Sequence, residues 1–567
     1  MPTLIAQKRW DLPVPNPQLQ AEISNTLHVH PILAQLLINR GITTPLEAET
    51  FLNIDFAKLY DPFLMRDMDK AVERVRLAKE RQERVLIFGD YDVDGVTSSV
   101  VLNKTLTQYG LDVVHHIPDR MDDGYGLNFN VAELARQEQA KLVIAVDCGI
   151  TALKEVQRLM EQGIDIVILD HHEPSEEGIP QCCAVVDPKR KDCPYPFKHL
   201  AAVGIAAKFT QALFGGVPNE ILDLVALGTI ADVVPLRGEN RIFVKFGLPC
   251  IENTDNLGLQ ALLDVARIKG KKLRPYHAGF ILGPRINAAG RMDSARHSLE
   301  LLLSHDFQTA MDLAGKLDSI NVERQQLQKT MIQEALNMVE RDVNFNKEKV
   351  IVLVKEGWHK GVLGIVASKI VETFYRPAVI VTLENGVATG SARSIDGFHL
   401  HEALTSCSDV LEDFGGHRLA AGLTFRQEHT DELRRRLNDY AQSFLKPEDL
   451  TPVLLVDAEV PLRDLTVDLV NRIDLLEPYG EGNRPPVFCT RNLTVKSHPM
   501  CLAKETLKFW VSDGETTLSV VGFGMGKFKN DLALNQVIDV AYELAIDDWN
   551  KEPTAQLRLK DIRLVSS

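Results

Sequence analysis

Residues 84–95, RVLIFGDYDVDG, set a short apolar run directly against three carboxylates. A run of this length with no polar alternation is a strand buried on both faces. Asp90, Asp92 and Asp94 follow at alternate positions, so their side chains point toward one region while the chain stays extended. Gly95 then permits a tight turn into the next helix. Three like charges this close repel one another. A hard cation relieves that cost, and oxygen ligands suit magnesium or manganese. A calcium loop of the EF-hand kind is excluded, because the glutamate that closes such a loop at its twelfth position is missing.

The same pattern recurs downstream. The apolar run Leu142–Val146 ends in Asp147-Cys148-Gly149, and the run 164–169 ends in Asp170-His171-His172. Another strand is expected at 111–117, and helical periodicity lies at 96–109, 130–139 and 151–162. Strands and helices alternating at this spacing predict a mainly parallel sheet with helices on its faces. Ligands of open α/β sheets gather at the carboxyl ends of the strands. Asp92, Asp94, Asp147, His171 and His172 are therefore expected along one edge. Asp232, in GTIAD after an apolar segment, adds a fourth candidate, with a helix cap as its weaker reading. Such an inventory fits two divalent ions sharing a bridging carboxylate. A pair of that kind activates water and stabilises the attacking and leaving oxygens at a phosphoryl centre. The spare histidine is left to orient the phosphate or to protonate the leaving oxygen.

Around this core, residues 1 to about 80 read as helical and loop-rich, with a helix at 66–82. The stretch 298–340 is a long amphipathic pattern. A second α/β unit begins at Val350, passes through a helix at 361–374 and a strand at 378–382, and ends near 447. From 451 onward short strand-like segments follow one another, which predicts a small β-barrel. A chain of 567 residues is too long for one core and implies three or four domains. The net charge of −15 argues against a surface coated for duplex binding, while leaving room for a local basic channel. Eight cysteines without a CxxC pair indicate neither a structural zinc site nor a disulfide framework. No apolar run reaches the length of a membrane span and the start lacks a signal-peptide core, so a cytoplasmic location is expected.

Several residues are candidates for phosphate or strand contacts. Arg120 follows the second strand, and Tyr125 sits between Gly124 and Gly126. Arg285, Asn287, Arg291 and Arg296 cluster in GPRINAAGRMDSAR, although any one of these arginines reads equally as a surface ion pair. Lys269, Lys271, Lys272 and Arg274 form a basic run with no acid between them. In the second unit, Ser391 and Arg393 offer a hydroxyl and a guanidinium in one turn. Gly415-Gly416-His417 precedes RLAAG, read here as a small-residue helix whose N-terminus favours an anion. Trp358-His359 precedes a helix start at Gly361, with core packing the stronger reading of Trp358. Phe509 and Trp510 are stacking candidates, one of which is expected in the core because alternate strand positions face opposite sides.

Taken in order, GDYDVDGVTSS (89–99), DRMDDGYGL (119–127), VDCGI (146–150), DHHEP (170–174), GTIADVVPL (228–236), LGPRINAAGRM (282–292), GWHKGVLGIVASKI (357–370), SARS (391–394), FGGH (414–417) and GEGNRPPVF (480–488) resemble the RecJ family of the DHH phosphoesterase superfamily. The resemblance spans nearly the whole chain. It implies two α/β lobes joined by a long helix, plus a C-terminal OB-fold barrel. The expected boundaries are an N-terminal extension packing on the core at 1–75, the DHH catalytic domain at 76–297, a connecting helix at 298–344, the DHH-associated substrate-binding domain at 345–447 and the OB fold at 451–567. It implies a single-stranded-DNA-specific exonuclease that works 5′ to 3′ and releases 5′ mononucleotides in recombination and repair. Two Mn²⁺ or Mg²⁺ ions are the implied cofactors. By the same resemblance Asp92 and Asp94 bind separate metals, Asp147 bridges them, His171 and Asp232 complete the shell, and Asp90 supports or joins it. His172 contacts the scissile phosphate, with Asp170 counted beside it and Asp147 among the catalytic groups. Arg120, Tyr125, Arg285, Asn287, Ser391, Arg393 and His417 fall to substrate. Single-stranded DNA-binding protein and a RecQ-type helicase are the implied partners of a monomer without membrane attachment. The competing reading is a DHH phosphodiesterase acting on short oligoribonucleotides or cyclic dinucleotides. A non-catalytic nucleic-acid scaffold would lack ligands, and here the set is whole.

Overall fold

The computed structural model describes residues 8–118, 126–128, 130–547 and 552–565. It divides into two compact units, one of residues 12–319 with 456–567 and the other of residues 1–11 with 320–455.

The apolar strand of the opening motif, Arg84–Gly89, lies inside a five-stranded parallel sheet. Its neighbours are Asp112–His116 on one side and Leu142–Val146 on the other, followed by Asp165–Leu169 and Ala184–Val186. Alternation along each strand decides which face a side chain enters. Val85, Ile87, Leu142, Ile144, Val167 and Leu169 join one buried cluster, with the helices Met68–Glu80, Val93–Tyr109 and Ala202–Phe214 over it. Leu86, Phe88, Val143, Ala145, Ile166 and Ile168 join the opposite cluster under Val131–Gln137 and Leu153–Glu161. Each such aliphatic side chain contributes about 1.5–3 kcal/mol on burial. The expected strands and helices are thus present, with an extra strand at Ala184–Val186 that is too short to announce itself.

A buried polar network fastens the segment before the sheet. Lys208 and Glu239 are both buried and pair at 3.0 Å, and Tyr195 donates to Glu239 at 2.5 Å. The N–H of Tyr60 reaches the same carboxylate at 3.0 Å, while Lys208 donates to the Tyr60 carbonyl.

The C-terminal strands form a seven-stranded sheet. Five of them, Phe488–Val495, Val537–Asp547, Thr554–Leu564, Thr517–Gly522 and Thr506–Ser512, curl into a ring that closes through two residue pairs, Thr494 with Ser512 and Val495 with Val511. Ile23, Leu33, Leu36 and Leu37 of the N-terminal helices share this ring's apolar cluster with Phe488, Phe509 and Val540. The first helices of the N-terminal extension therefore pack on the tail strands, while its later residues, Phe56 and Leu59 and then Met65, Met68, Ala71, Val72 and Val75, pack against the catalytic core. The motif 480–488 meets the segment just after Asp232: Leu236 N–H donates to the Glu481 carbonyl at 2.8 Å, and Arg237 to that of Gly482 at 2.8 Å.

The 36-residue helix Phe307–Asp342 carries the chain into the second unit; the preceding Arg296–Leu302 is a separate helix. This unit holds a mixed five-stranded sheet in the order Asp413–Gly416, Ala420–Arg426, Val387–Arg393, Ala378–Glu384, Ile351–Glu356. The helix read from RLAAG is absent. Residues 420–426 are a strand, antiparallel to both 413–416 and 387–393. Small residues there permit close strand pairing: a Cβ at Gly416 would come within 2.3 Å of the Ala420 carbonyl oxygen, and its φ of +138° lies where side chains are disfavoured.

Candidate metal centre and phosphate grip

Gly95 lies where the strand end meets the helix start, and a Cβ there would stand 2.3 Å from the Asp90 carbonyl oxygen. Only glycine lets the three carboxylates fold back this tightly. Asp92 caps the helix Val93–Tyr109, its Oδ1 accepting from the N–H groups of Asp94 at 2.9 Å and Gly95 at 3.2 Å. Asp94 is buried and caps a second helix, accepting from Ala202 N–H at 2.7 Å and Val203 N–H at 2.9 Å. These bonds fix carboxylates that would otherwise splay apart. Asp147 follows its strand with φ +62°, a left-handed conformation that aspartate tolerates better than most residues. Asp232 ends the helix Leu222–Ala231.

These elements converge on one point. His171 Nε2 lies 3.2 Å from Asp147, 3.6 Å from Asp232 and 3.9 Å from Asp94. Three sets offer ligand atoms within 4.8 Å of one another: Asp147 with His171 and His172, Asp94 with His171 and Asp232, and Asp90 with Asp92 and Asp147. Asp147 and His171 each stand in two of the sets.

Burial, then mutual repulsion, sets the electrostatics. Burial and the charge of Asp92 raise Asp94 to about 7; burial and Asp94 raise Asp232 to about 9; and the same causes push Asp147 well above the usual carboxylate range. Burial, with the charge of His172, lowers His171 to about 3, so its ring is neutral and able to ligate. Its buried Nε2, like Asp232 Oδ2, has no hydrogen-bond partner among the described residues. Buried carboxylates around an unsatisfied imidazole nitrogen are the donor set of divalent cations such as Mn²⁺ or Mg²⁺. The residues present therefore fit the expected cofactor.

His172 is arranged differently. Its Nδ1 lies 2.7 Å from Asp170 Oδ1, and its side chain is 37 % exposed. Asp170 is wholly buried and also accepts from the N–H groups of Ile150 and His171. Its contacts hold the His172 ring and the backbone of 171–172 in place. Burial opposes charge on both members, but their hydrogen bond outweighs it and leaves Asp170 at about 2 and His172 at about 9.

The remaining sequence candidates separate. Arg285 pairs with Asp318 at 2.9 Å and donates to the Ile281 carbonyl at 2.7 Å. Asn287 accepts from Val93 N–H at 3.0 Å, pinning the turn between Asp92 and Asp94. Arg296 pairs with Glu300 at 2.7 Å. Arg120 and Tyr125 lie outside the described residues. Trp358 is buried and donates to Glu334 at 2.7 Å, as core packing predicts. On the strand Thr506–Ser512, Phe509 enters the ring's core and Trp510 faces outward.

In the second unit, alternation along Val387–Arg393 puts Ser391 and Arg393 on one face. Arg393 donates to Ser391 at 3.2 Å. Both stand over the start of the helix Leu363–Phe374, where a Cβ at Gly364 would come within 2.9 Å of the guanidinium and 3.1 Å of the hydroxyl. A hydroxyl, a guanidinium and a helix N-terminus thus meet in one place, the chemistry of a phosphate grip. His417 is exposed in the turn between the two strands paired by Gly416 and Ala421, next in register to Arg393 opposite Ala420. The sequence points to Ser391 and Arg393 together and to Gly361 apart from them, but not to Gly364, whose signal is only its small size at the second position of the helix.

Residues 84–229 match the N-terminal domain of the DHH family, 347–443 the DHHA1 domain and 456–561 the RecJ OB domain. Fold and site together define a DHH-family protein. The chain is 40% identical over 561 residues to the single-stranded-DNA-specific exonuclease RecJ of Bacillus subtilis, covering 98% of this chain and 71% of that protein. It is 33% identical over 560 residues to RecJ of Haemophilus influenzae, covering 94% and 96%. Among solved structures, RecJ of Thermus thermophilus in complex with Mn²⁺ superposes with a TM-score of 0.85 at 31% identity, over 99% of this chain and 80% of that one. This chain belongs to the RecJ family.

Proposed function

We propose that this chain is a single-stranded-DNA-specific exonuclease that hydrolyses one phosphodiester at a time from the 5′ end and releases 5′ mononucleotides. The observation that carries the reading is the convergence of Asp147 and the unsatisfied Nε2 of His171 with four further carboxylates, Asp90, Asp92, Asp94 and Asp232. Asp90, Asp92, Asp94, Asp147, His171 and Asp232 would hold two Mn²⁺ or Mg²⁺ ions. When bound, such a pair supplies an activated water and charge stabilisation at phosphorus. His172, held protonated at neutral pH by Asp170, touches the scissile phosphate and gives its proton to the leaving oxygen. Asn287 keeps the acidic turn in place through Val93. Ser391, Arg393 and the helix start at Gly364 take the terminal 5′ phosphate, with His417 beside them.

The proposed division puts the DHH core at 76–297, the connecting helix at 298–344, DHHA1 at 345–447 and the OB fold at 451–567; the family matches at 84–229, 347–443 and 456–561 support the order of these domains. Family resemblance supports a cytoplasmic monomer that works with single-stranded DNA-binding protein and a RecQ-type helicase in recombination and repair. No helix of the described residues is long and apolar enough to cross a membrane. A degradation panel tests the substrate: long single-stranded DNA, duplex DNA, an RNA dinucleotide and a cyclic dinucleotide. Preference for the long single strand is expected; preference for either dinucleotide overturns the reading in favour of the small-substrate alternative.

A further inference from the structure

Tyr276 and Phe280 are the most conspicuous aromatic side chains outside the metal centre. They are 62 % and 74 % exposed, yet their rings stack on each other at 5.3 Å between centroids with 20° between planes. Tyr276 lies in the short helix Pro275–His277, and Phe280 lies within the single π turn Ala278–Leu282 that joins it to the helix Gly283–Met292. Wide turns of this kind occur preferentially at functional sites. The inward side of the turn packs on the catalytic machinery: a Cβ at Gly279 would meet Ile230 at 3.4 Å, and one at Gly283 would meet Ala231 at 3.5 Å and Val93 at 3.8 Å. Ala231 precedes Asp232, and Val93 lies between Asp92 and Asp94. The outward side therefore presents two large rings next to the elements that carry the metal ligands. Immediately upstream, Lys271 and Lys272 enter no ion pair among the described residues, whereas Lys269 pairs with Asp264 and Arg274 with Glu477.

We propose that Tyr276 and Phe280 form a stacking platform for an unpaired nucleobase of the strand being degraded, with Lys271 and Lys272 drawing in its backbone. This rests on the single-strand reading of the metal centre and adds a second point of grip to it. Stacking on aromatic rings is tolerant of sequence, because every base has a π face, and it requires bases that are not paired. Two solvated lysines supply the sequence-independent attraction to phosphates. A protein partner would also bury exposed rings, but it gives no reason for free cations beside them at the edge of a phosphodiesterase centre.

The test measures binding of a fluorescein-labelled thirty-nucleotide strand by anisotropy, with the full chain carrying Asp147→Asn so that the strand is not consumed. Tyr276→Ala with Phe280→Ala is expected to weaken binding about tenfold or more, and Tyr276→Trp with Phe280→Trp to retain it. A strand of the same length made of abasic spacers is expected to bind the parent and the double-alanine protein alike, since without bases there is nothing to stack. Double-alanine binding within twofold of the parent on the ordinary strand overturns the proposal. So does an equal loss on the abasic strand, which would assign the rings a structural or backbone role. The parallel control is wild-type protein with Mn²⁺: if it fails to degrade single strands, the functional reading falls first, and the platform with it.

Discussion

Several constraints meet at Asp147. It sits at the end of a fully buried strand, in a left-handed backbone conformation, within reach of both His171 and the Asp90–Asp92 pair. Asp147→Asn keeps the shape and the turn but removes the charge that would bridge two cations. Exonuclease activity is expected to fall on the order of a thousandfold or more. The same variant in metal-free form is expected to melt no lower than the parent, because it removes one member of a repelling cluster. Activity within tenfold of wild type, measured with Mn²⁺ present, would count against the bridging assignment. Titration gives a second expectation. Asp94 and Asp232 hold protons to about 7 and about 9 in the folded chain, far above the ordinary value of unfolded aspartate. Between about pH 4 and 9 the folded state therefore binds more protons than the unfolded one, and stability falls as pH rises. The metal-free protein is expected to melt lower at pH 8.5 than at pH 6.5, by about 1.4 kcal/mol per pH unit for each group still titrating. Saturating Mn²⁺, which favours the ionised carboxylates, is expected to raise the melting temperature most at the higher pH. Identical melting curves at both pH values without metal would contradict this.

At the scale of elements, the catalytic sheet was legible because its strands are apolar on both faces and end abruptly in Asp or His. Arg84–Gly89 and Leu142–Val146 have the expected bounds. Ala184–Val186 was not legible, since three apolar residues carry no period. RLAAG misled for a related reason. Small residues are as compatible with close strand pairing as with a helix, and the pairing with 387–393 that decides it is a long-range contact. The acidic cluster was readable from the sequence because Asp90, Asp92 and Asp94, Asp147 and His171 each come just after an apolar strand. The helper contacts were not: the amides of Ala202 and Val203, Asn287 at Val93 and Asp170 behind His172 depend on how distant segments pack. The hairpin and the helix start in the second unit make one further expectation. Arg393→Ala leaves Ser391 and the helix start at Gly364 without a cation. It is expected to reduce the preference for a 5′-phosphorylated over a 5′-hydroxyl strand about tenfold, the worth of a charge-assisted hydrogen bond. Matched kinetics on the two strands, with an unchanged ratio, would remove Arg393 from the phosphate grip.

At the scale of the whole molecule, the chain is fastened by polar contacts that composition does not reveal. Arg241, buried beside the catalytic core, donates to the carbonyls of Leu476, Glu477 and Pro478, and Arg40 reaches Asn483 at 2.7 Å. The tail ring is thereby fixed to the segment that follows Asp232. The Lys208–Glu239–Tyr195 network does the same for the segment at Tyr60. Lys208→Met leaves Glu239 charged and buried without its cation, and is expected to destabilise the protein by about 3–5 kcal/mol in denaturant unfolding. A change under 1 kcal/mol would mean that the network is relieved by water. The net charge of −15 coexists with a local basic run at Lys269, Lys271, Lys272 and Arg274.

The account stands or falls on product release from a single strand labelled at its 5′ nucleotide, followed with Mn²⁺ and after chelation. Labelled mononucleotide is expected from the first turnover, with the same strand resistant when paired in a duplex and all activity lost to the chelator. Release of the label within longer fragments, equal attack on duplex, or hydrolysis that survives chelation would contradict it.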